Sequence, residues 1–204
     1  MSDARARKAE LRKELLSARR GLTEGERHAA STALVERVRD LPRLARAETV
    51  ATYVSMGTEP GTHDLINALR HGGTRVLLPV LLADNDLDWS VYEGPAALER
   101  TARGLLEPTG ERLGPAAVIG AQAVLLPGLA VDRHGVRLGR GGGSYDRVLE
   151  RLSAAGADPA LVVLLYAHEV VDTVPREPHD HLVDAAVTPE GVRLFPGPRG
   201  GATE

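Results

Sequence analysis

The stretch from Ala123 to Leu152 constrains this chain more than any other. Ala123 to Leu126 is an apolar run of strand length, and Pro127-Gly128 breaks it. Gly139, Gly141, Gly142 and Gly143 then surround Arg140 and lead into Ser144, Tyr145 and Asp146, after which Val148, Leu149 and Leu152 take up helical spacing. Strand, glycine loop and helix in that order define an α/β unit. Such a loop turns several backbone N–H groups towards one point, and the helix start adds partial positive charge, so phosphate is its natural guest. A plain surface turn is the other reading of a glycine run. Two templates are poor matches. No Gly-Lys-Ser/Thr follows the glycines, which excludes a Walker A loop, and a dinucleotide fingerprint needs a third glycine where Ser144 stands.

The rest of the chain supplies further α/β elements. Leu11, Leu15 and Leu16 follow a 3.6-residue repeat within residues 4–20, and Gly21 ends that helix. Its polar side carries Arg5, Arg7, Lys8, Arg12, Lys13, Arg19 and Arg20, which by composition alone read as a solvated basic face. Thr23 and Glu26 form a capping box for a second helix to about Leu41. Thr49 to Ser55 reads as a buried strand, and the loop behind it contains Glu59; Thr62 then caps a helix that Gly72-Gly73 ends. Arg75–Leu82 and Leu87–Tyr92 are strands around the turn Asp84-Asn85-Asp86, with Trp89 in core or edge packing, and Leu161–Tyr166 is another strand. Strands alternating with helices predict a largely parallel sheet covered on both faces.

His179, Asp180, His181 and Asp184 cluster near the carboxyl end. A catalytic zinc requires three placed ligands and an open fourth position, and a capping or solvated cluster is the simpler reading.

A chain of 204 residues suits one domain, expected over 1–196, with the Gly- and Pro-rich residues 197–204 as a frayed tail. Net charge of −3 argues against a nucleic-acid binder that relies on bulk charge. Cysteine is absent, which removes disulfides and thiolate chemistry. The amino end lacks the apolar core of a secretory signal, and no apolar run reaches membrane-spanning length, so a cytoplasmic protein is expected. Aromatic content is 3%, so Leu, Val and Ala must build the core.

Pro127, Gly128, Asp132, Gly135, Arg137, Leu138, Gly139, Gly141, Gly143, Tyr145 and Asp146 keep one gap-free register. In it the stretch resembles the signature of 5-formyltetrahydrofolate cyclo-ligases (methenyltetrahydrofolate synthetases): a Pro-Gly turn, then Asp-x-x-Gly-x-Arg-Leu-Gly-x-Gly-x-Gly-Tyr-Tyr-Asp. Ser144 departs from it, standing where the family has tyrosine, and a ring lost there weakens stacking on nucleotide or pterin.

The resemblance implies a three-layer, Rossmann-like sandwich and an ATP- and Mg²⁺-dependent ring closure of 5-formyltetrahydrofolate to 5,10-methenyltetrahydrofolate. It assigns Lys8 and Arg12, through a Lys-x-x-x-Arg pattern, to the ATP phosphates, together with Arg137, Gly139, Arg140, Gly141, Gly142, Gly143, Ser144 and Tyr145. Glu59 is implied as a folate contact with Val54 beside it, Asp146 and Asp180 as Mg²⁺ ligands, and Arg140, Tyr145 and Asp146 as the residues nearest the chemistry. Asp184 matches a further family carboxylate that orients backbone or nearby side chains. Glu107 falls in a segment resembling the family's Glu-Pro element, reads equally as a turn residue, and is left outside the site. The expected partners are reduced formyl-folate and ATP, with no nucleic acid or membrane, for a monomer or weak homodimer. A non-catalytic module binding folate or a phosphorylated metabolite is the alternative. A sugar-phosphate enzyme ranks last because it leaves Lys8, Arg12 and Glu59 unexplained.

Overall fold

The computed structural model describes residues 3–177 and 180–196; His179 and the proposed tail 197–204 lie outside them. Three helices precede the first strand: α1 (Asp3–Gly21), α2 (Glu24–Arg37) and the single turn α3 (Pro42–Ala45). The capping box forms, with the Thr23 hydroxyl accepting from Glu26 N and the Glu26 carboxylate accepting from Thr23 N. α2 stops short of the expected Leu41. A 3₁₀ turn at Val38–Asp40 tightens the chain, and Pro42 forces Leu41 into an extended conformation, so one continuous helix is impossible there.

β1 (Thr49–Ala51) is shorter than the β-branched run that marks it. Beyond Thr52 the chain leaves the ladder because a side chain captures it: Thr62 Oγ1 accepts from Ser55 N at 2.8 Å and donates to the Tyr53 carbonyl at 2.7 Å. Thr62 does precede α4 (His63–His71), but its hydroxyl serves the loop and makes no cap to the helix.

β2 (Arg75–Leu81) and β3 (Leu87–Val91) form the antiparallel hairpin expected around Asn85, and Trp89 is fully buried. A second small hairpin, β4 (Leu98–Arg100) with β5 (Leu106–Pro108), leads to β6 (Ala123–Pro127). A third pairs β7 (Ala130–Val131) with β8 (Arg137–Leu138), and α5 (Ser144–Ala154) follows the glycine loop. β9 (Ala160–Leu164), β10 (Ala185–Thr188) and β11 (Gly191–Leu194) complete the chain.

The main sheet has the order β11-β10-β9-β6-β1-β2-β3. Its inner five strands are parallel, and β11 and β3 pair antiparallel at the edges. Alternation along the strands supplies both faces. Val50, Leu125, Val162 and Leu164 pack with Leu34, Leu44 and Leu65 of α2, α3 and α4. Ala51, Val124, Leu126 and Val163 pack with Val148, Leu149 and Leu152 of α5. The result is the expected three-layer, Rossmann-like α/β sandwich. No helix among the described residues is long and apolar enough to cross a membrane.

Strand order fixes where a ligand can enter. From the adjacent strands β1 and β6, the chain crosses to β2 on one side through α4 and to β9 on the other through α5, so the loops behind them diverge and open a crevice. α1 stands outside these layers, with Leu15 packed against Leu129, Ala130, Val136 and Leu138 of the β7–β8 region.

The turn of that hairpin is built by Asp132, whose buried carboxylate accepts from His134 N at 2.8 Å and Val136 N at 3.0 Å. Gly135 follows at φ 83°, and a Cβ there would lie 2.8 Å from the Val183 carbonyl oxygen. Backbone cannot yield as a side chain can, so Gly135→Ala is expected to lose about 2 kcal/mol of stability. A lowered urea midpoint checks this; an unchanged midpoint would contradict it.

Candidate active site

One cavity occupies the crevice behind β1 and β6. Val54, Glu59, Arg137 and every residue from Gly139 to Asp146 line it together, although they come from separate segments. Part of the wall is aliphatic, formed by Met56, Leu81, Leu87, Leu105 and Leu106, and a further carboxylate, Glu107, is among the lining residues.

The glycine loop meets the cavity as open backbone. Gly141 and Gly143 have φ of 91° and 80°, a region that favours glycine, and a Cβ on Gly142 or Gly143 would meet nothing within 4 Å. Gly143 occupies the N-cap position of α5 without any side-chain cap, so the helix start and its partial positive charge are presented by backbone alone. Arg12 supports the loop from α1: Nε donates to the Gly139 carbonyl at 2.9 Å, and the guanidinium carbon lies 3.5 Å from where a Gly141 Cβ would sit.

Arg137 lies beneath the loop, buried. Nη1 donates to the Pro127 carbonyl at 3.0 Å and Nη2 to Asp146 Oδ1 at 2.9 Å. Burial pushes this guanidinium below its ordinary range even though Asp146 opposes the shift. Arg137 thus ties the end of β6 to the first turn of α5. The Asp146 side chain itself remains 55% exposed, in the acidic position that a helix start favours.

Two loops are bridged by Arg140, whose Nη1 stands 3.3 Å from Glu59 Oε1. The other Glu59 oxygen accepts from Met56 N at 2.8 Å, which fixes the carboxylate against its own loop. The Tyr145 hydroxyl is buried without a hydrogen-bond partner among the described residues. Burial, reinforced by the Glu59 charge, raises its pKa, so the phenol stays protonated.

Lys8 and Asp180 sit together to one side. Lys8 Nζ reaches Asp180 Oδ1 at 2.9 Å, Asp180 Oδ2 at 2.7 Å and Glu177 Oε2 at 2.9 Å. Burial alone would lower the pKa of this ammonium, but the hydrogen bonds to Asp180 and Glu177 outweigh it and raise the value. Asp180 therefore faces Lys8, and neither residue lines the cavity that holds Asp146. Asp184 accepts from Leu161 N at 2.8 Å, a backbone-orienting contact. Among the described residues, no group of three His, Cys, Asp or Glu is disposed to hold a metal.

The basic stripe of α1 is not the uniformly solvated face that composition suggests, since Lys8 and Arg19 are both buried. The sequence places Arg19 only on a solvated face and Glu107 outside the site, and it does not single out Glu169 or Glu177; in the structure Arg19 pairs with Glu169, Glu177 with Lys8, and Glu107 accepts from Leu81 N at 3.0 Å within the cavity lining. Arg19 carries one usable signal, its place on the stripe of Leu15, which points inward.

Alkaline lability follows from these groups. Tyr53, Tyr145 and Lys8 all have raised pKa values in the folded chain, the tyrosines chiefly through burial. A raised group stabilises the fold fully below its unfolded pKa, about 10 here, and loses that contribution as pH climbs through the folded value. The urea midpoint should fall from pH 9 to pH 11, and Tyr53→Phe should flatten part of the fall; a midpoint level across this range would refute the reading.

Comparison with known proteins places this geometry in a family. The model of the 5-formyltetrahydrofolate cyclo-ligase family matches residues 4–189. A Mycolicibacterium smegmatis protein of that name is 40% identical over 191 residues, spanning 90% of this chain and 94% of the relative. The Escherichia coli cyclo-ligase is 31% identical over 178 residues, covering 85% and 96%. The solved Aquifex aeolicus 5,10-methenyltetrahydrofolate synthetase superposes with a TM-score of 0.80 at 31% identity, over 97% of this chain and 95% of that one. A match that begins in the first turn of α1 and runs to the end of β10, enclosing the whole glycine loop, makes this chain a member of the 5-formyltetrahydrofolate cyclo-ligase family.

Proposed function

We propose that the chain closes 5-formyltetrahydrofolate to 5,10-methenyltetrahydrofolate at the expense of ATP, with Mg²⁺ and with ADP and phosphate as the other products. One observation carries this reading: in a member of this family, an uncapped glycine loop, an exposed first-turn aspartate and a fixed carboxylate line one cavity. The cavity encloses about 250 Å³. That is small beside the ~300–1,000 Å³ of an ordinary ligand site, so it suits the reacting ends of two substrates rather than both entire molecules.

The chemical difficulty lies in the formyl oxygen, which is a poor leaving group from an amide carbon. Transfer of the γ-phosphoryl group to that oxygen frees ADP; the folate's N10 then attacks the formyl carbon, loses its proton, and the C–O bond breaks as phosphate departs. Both nucleophiles belong to the substrates, so the protein contributes positioning and charge neutralisation. The amides of Gly141 to Ser144 and the Arg140 guanidinium face the phosphates, with Arg12 steadying the loop behind them. Glu59 and Val54 hold the pterin end, and the aliphatic wall excludes water from it. Tyr145, a protonated phenol, offers a donor and a ring surface, while Ser144 leaves room where the family signature has a second tyrosine.

Mg²⁺ supplies charge neutralisation at the phosphates, and a hard cation held by one or two carboxylates plus phosphate oxygens and water suits the donors present. Asp146 fits directly. Asp180 takes part only when Lys8 exchanges its carboxylate partners for phosphate oxygens, a swap that leaves the buried ammonium with an anion throughout.

The decisive experiment follows the near-ultraviolet absorbance of methenyltetrahydrofolate on mixing purified protein, 5-formyltetrahydrofolate and Mg²⁺, with and without ATP. A strictly ATP-dependent rise is expected. Bound folate or nucleotide with no rise would overturn the catalytic reading in favour of a binding module.

A further inference from the structure

Behind the cavity, outside the residues that line it, Arg19 and Glu169 form an ion pair with 1% and 0% of their side chains exposed. Arg19 Nε donates to Glu169 Oε1 at 2.5 Å, and Nη2 donates to Glu169 Oε2 at 2.9 Å and to the Gly128 carbonyl at 2.6 Å. Glu169 Oε2 also accepts from Tyr166 N at 2.9 Å, and the Arg19 guanidinium lies 5.7 Å from the Tyr166 ring centre. The Tyr166 hydroxyl in turn donates to the Thr58 carbonyl at 3.3 Å, next to Glu59. Four segments meet in this way: α1, the Glu59 loop, the Pro127-Gly128 turn and the chain behind β9.

Holding α1 against the body does not require charge. Two ions taken out of water lose solvation that their attraction barely returns, and apolar side chains of similar volume often serve stability as well or better. What a guanidinium fork adds is direction, because two fixed contacts set both the rotation and the axial position of the helix. Lys8, Arg12, Leu15 and Arg19 follow the i, i+4, i+7, i+11 spacing of one helix face. A register set at Arg19 is therefore carried about 16 Å along α1, past Arg12 on the Gly139 carbonyl, to Lys8 on Asp180.

We propose that Arg19 and Glu169 are positioning residues for nucleotide use: they touch no reacting atom, but fix α1 in the register that delivers Arg12 to the Gly139 carbonyl of the glycine loop and Lys8 to Asp180 beside it. The inference rests on the cyclo-ligase reading for its kinetic readout. The test compares wild type with the double variant Arg19→Met/Glu169→Met and with Arg19→Lys, which retains the charge and loses the fork. The double variant should melt within a few degrees of wild type yet show at least a tenfold rise in the KM for ATP, with a smaller change in the KM for formyl-folate. Arg19→Lys should show the same split to a lesser degree. Native KM values in both variants, whatever their melting temperatures, would overturn the proposal. Should the double variant not fold, Arg19→Lys decides alone: a lowered melting temperature with native KM for ATP at 25 °C would mark the pair as purely structural. Wild type run in parallel separates the two failures. An inactive wild type counts against the cyclo-ligase reading, and ATP affinity by calorimetry then replaces KM in the same comparison.

Discussion

Asp146→Asn should leave the chain folded and cut turnover by at least about 100-fold, the scale seen when one group that offsets transition-state charge is removed. The fold survives because asparagine keeps an oxygen that can accept from Arg137 Nη2, so the buried guanidinium retains a hydrogen bond even as it loses its countercharge. Exposure limits the damage too: the Asp146 side chain is 55% solvent-accessible, so water and salt already screen part of its attraction to Arg137. The loss in turnover has a different origin. A neutral amide is a poor ligand for a hard cation, and the N-terminal end of α5, which favours the carboxylate, gives no comparable preference to an amide. Initial rates across a Mg²⁺ titration provide the check. Wild-type turnover at unchanged Mg²⁺ dependence would remove Asp146 from the metal assignment, while a rate restored by excess Mg²⁺ would show that its role is binding alone.

The parts of this molecule that were legible in its sequence are those governed by local rules. Glycine spacing and the Pro127-Gly128 break locate the strand, loop and helix around which the cavity forms, because positive φ and an uncapped helix start have few other sequence solutions. The capping box at Thr23 and the turn at Asn85 are equally local. Burial of Trp89 on an edge strand was compatible with the sequence but not fixed by it. What escaped depends on long-range pairing. Arg19 and Glu169 are 150 residues apart, and Lys8 and Asp180 are 172 apart, so nothing in either neighbourhood announces the partner. The β-branched run from Thr49 outlasts the strand for a related reason: β-branched residues report burial as well as pairing, and it is Thr62, seven residues on from Ser55, that turns the chain out of the ladder. Arg137 shows the same limit within the signature itself. The family resemblance assigns it to the phosphates, and what its neighbourhood in sequence does not announce is the second role its partners, Pro127 and Asp146, give it as a strut between β6 and α5.

The glycine loop allows strain and steric access to be separated with two substitutions. Gly142 has no positive φ, and a Cβ there would meet nothing within 4 Å, so Gly142→Ala should unfold at the same urea concentration as wild type. If phosphate approaches the backbone at this point, the added methyl group enters space the ligand needs, and ATP affinity should drop by about tenfold or more, near 1.4 kcal/mol. Gly143 differs in kind. Its φ of 80° at the N-cap of α5 is left-handed, where a β-branched residue is strongly disfavoured. Gly143→Val should therefore cost about 1–3 kcal/mol of stability unless the loop rearranges, and rearrangement would turn the first amides of α5 away from the cavity. Either response weakens ATP binding further than Gly142→Ala does, by about 100-fold. Calorimetric titration of both variants with ATP, beside their urea midpoints, distinguishes the causes. Weaker binding by Gly142→Ala at unchanged stability identifies close backbone approach; native affinity in both variants would mean that the triphosphate is held elsewhere, with the paired Lys8 on α1 as the next residue to test.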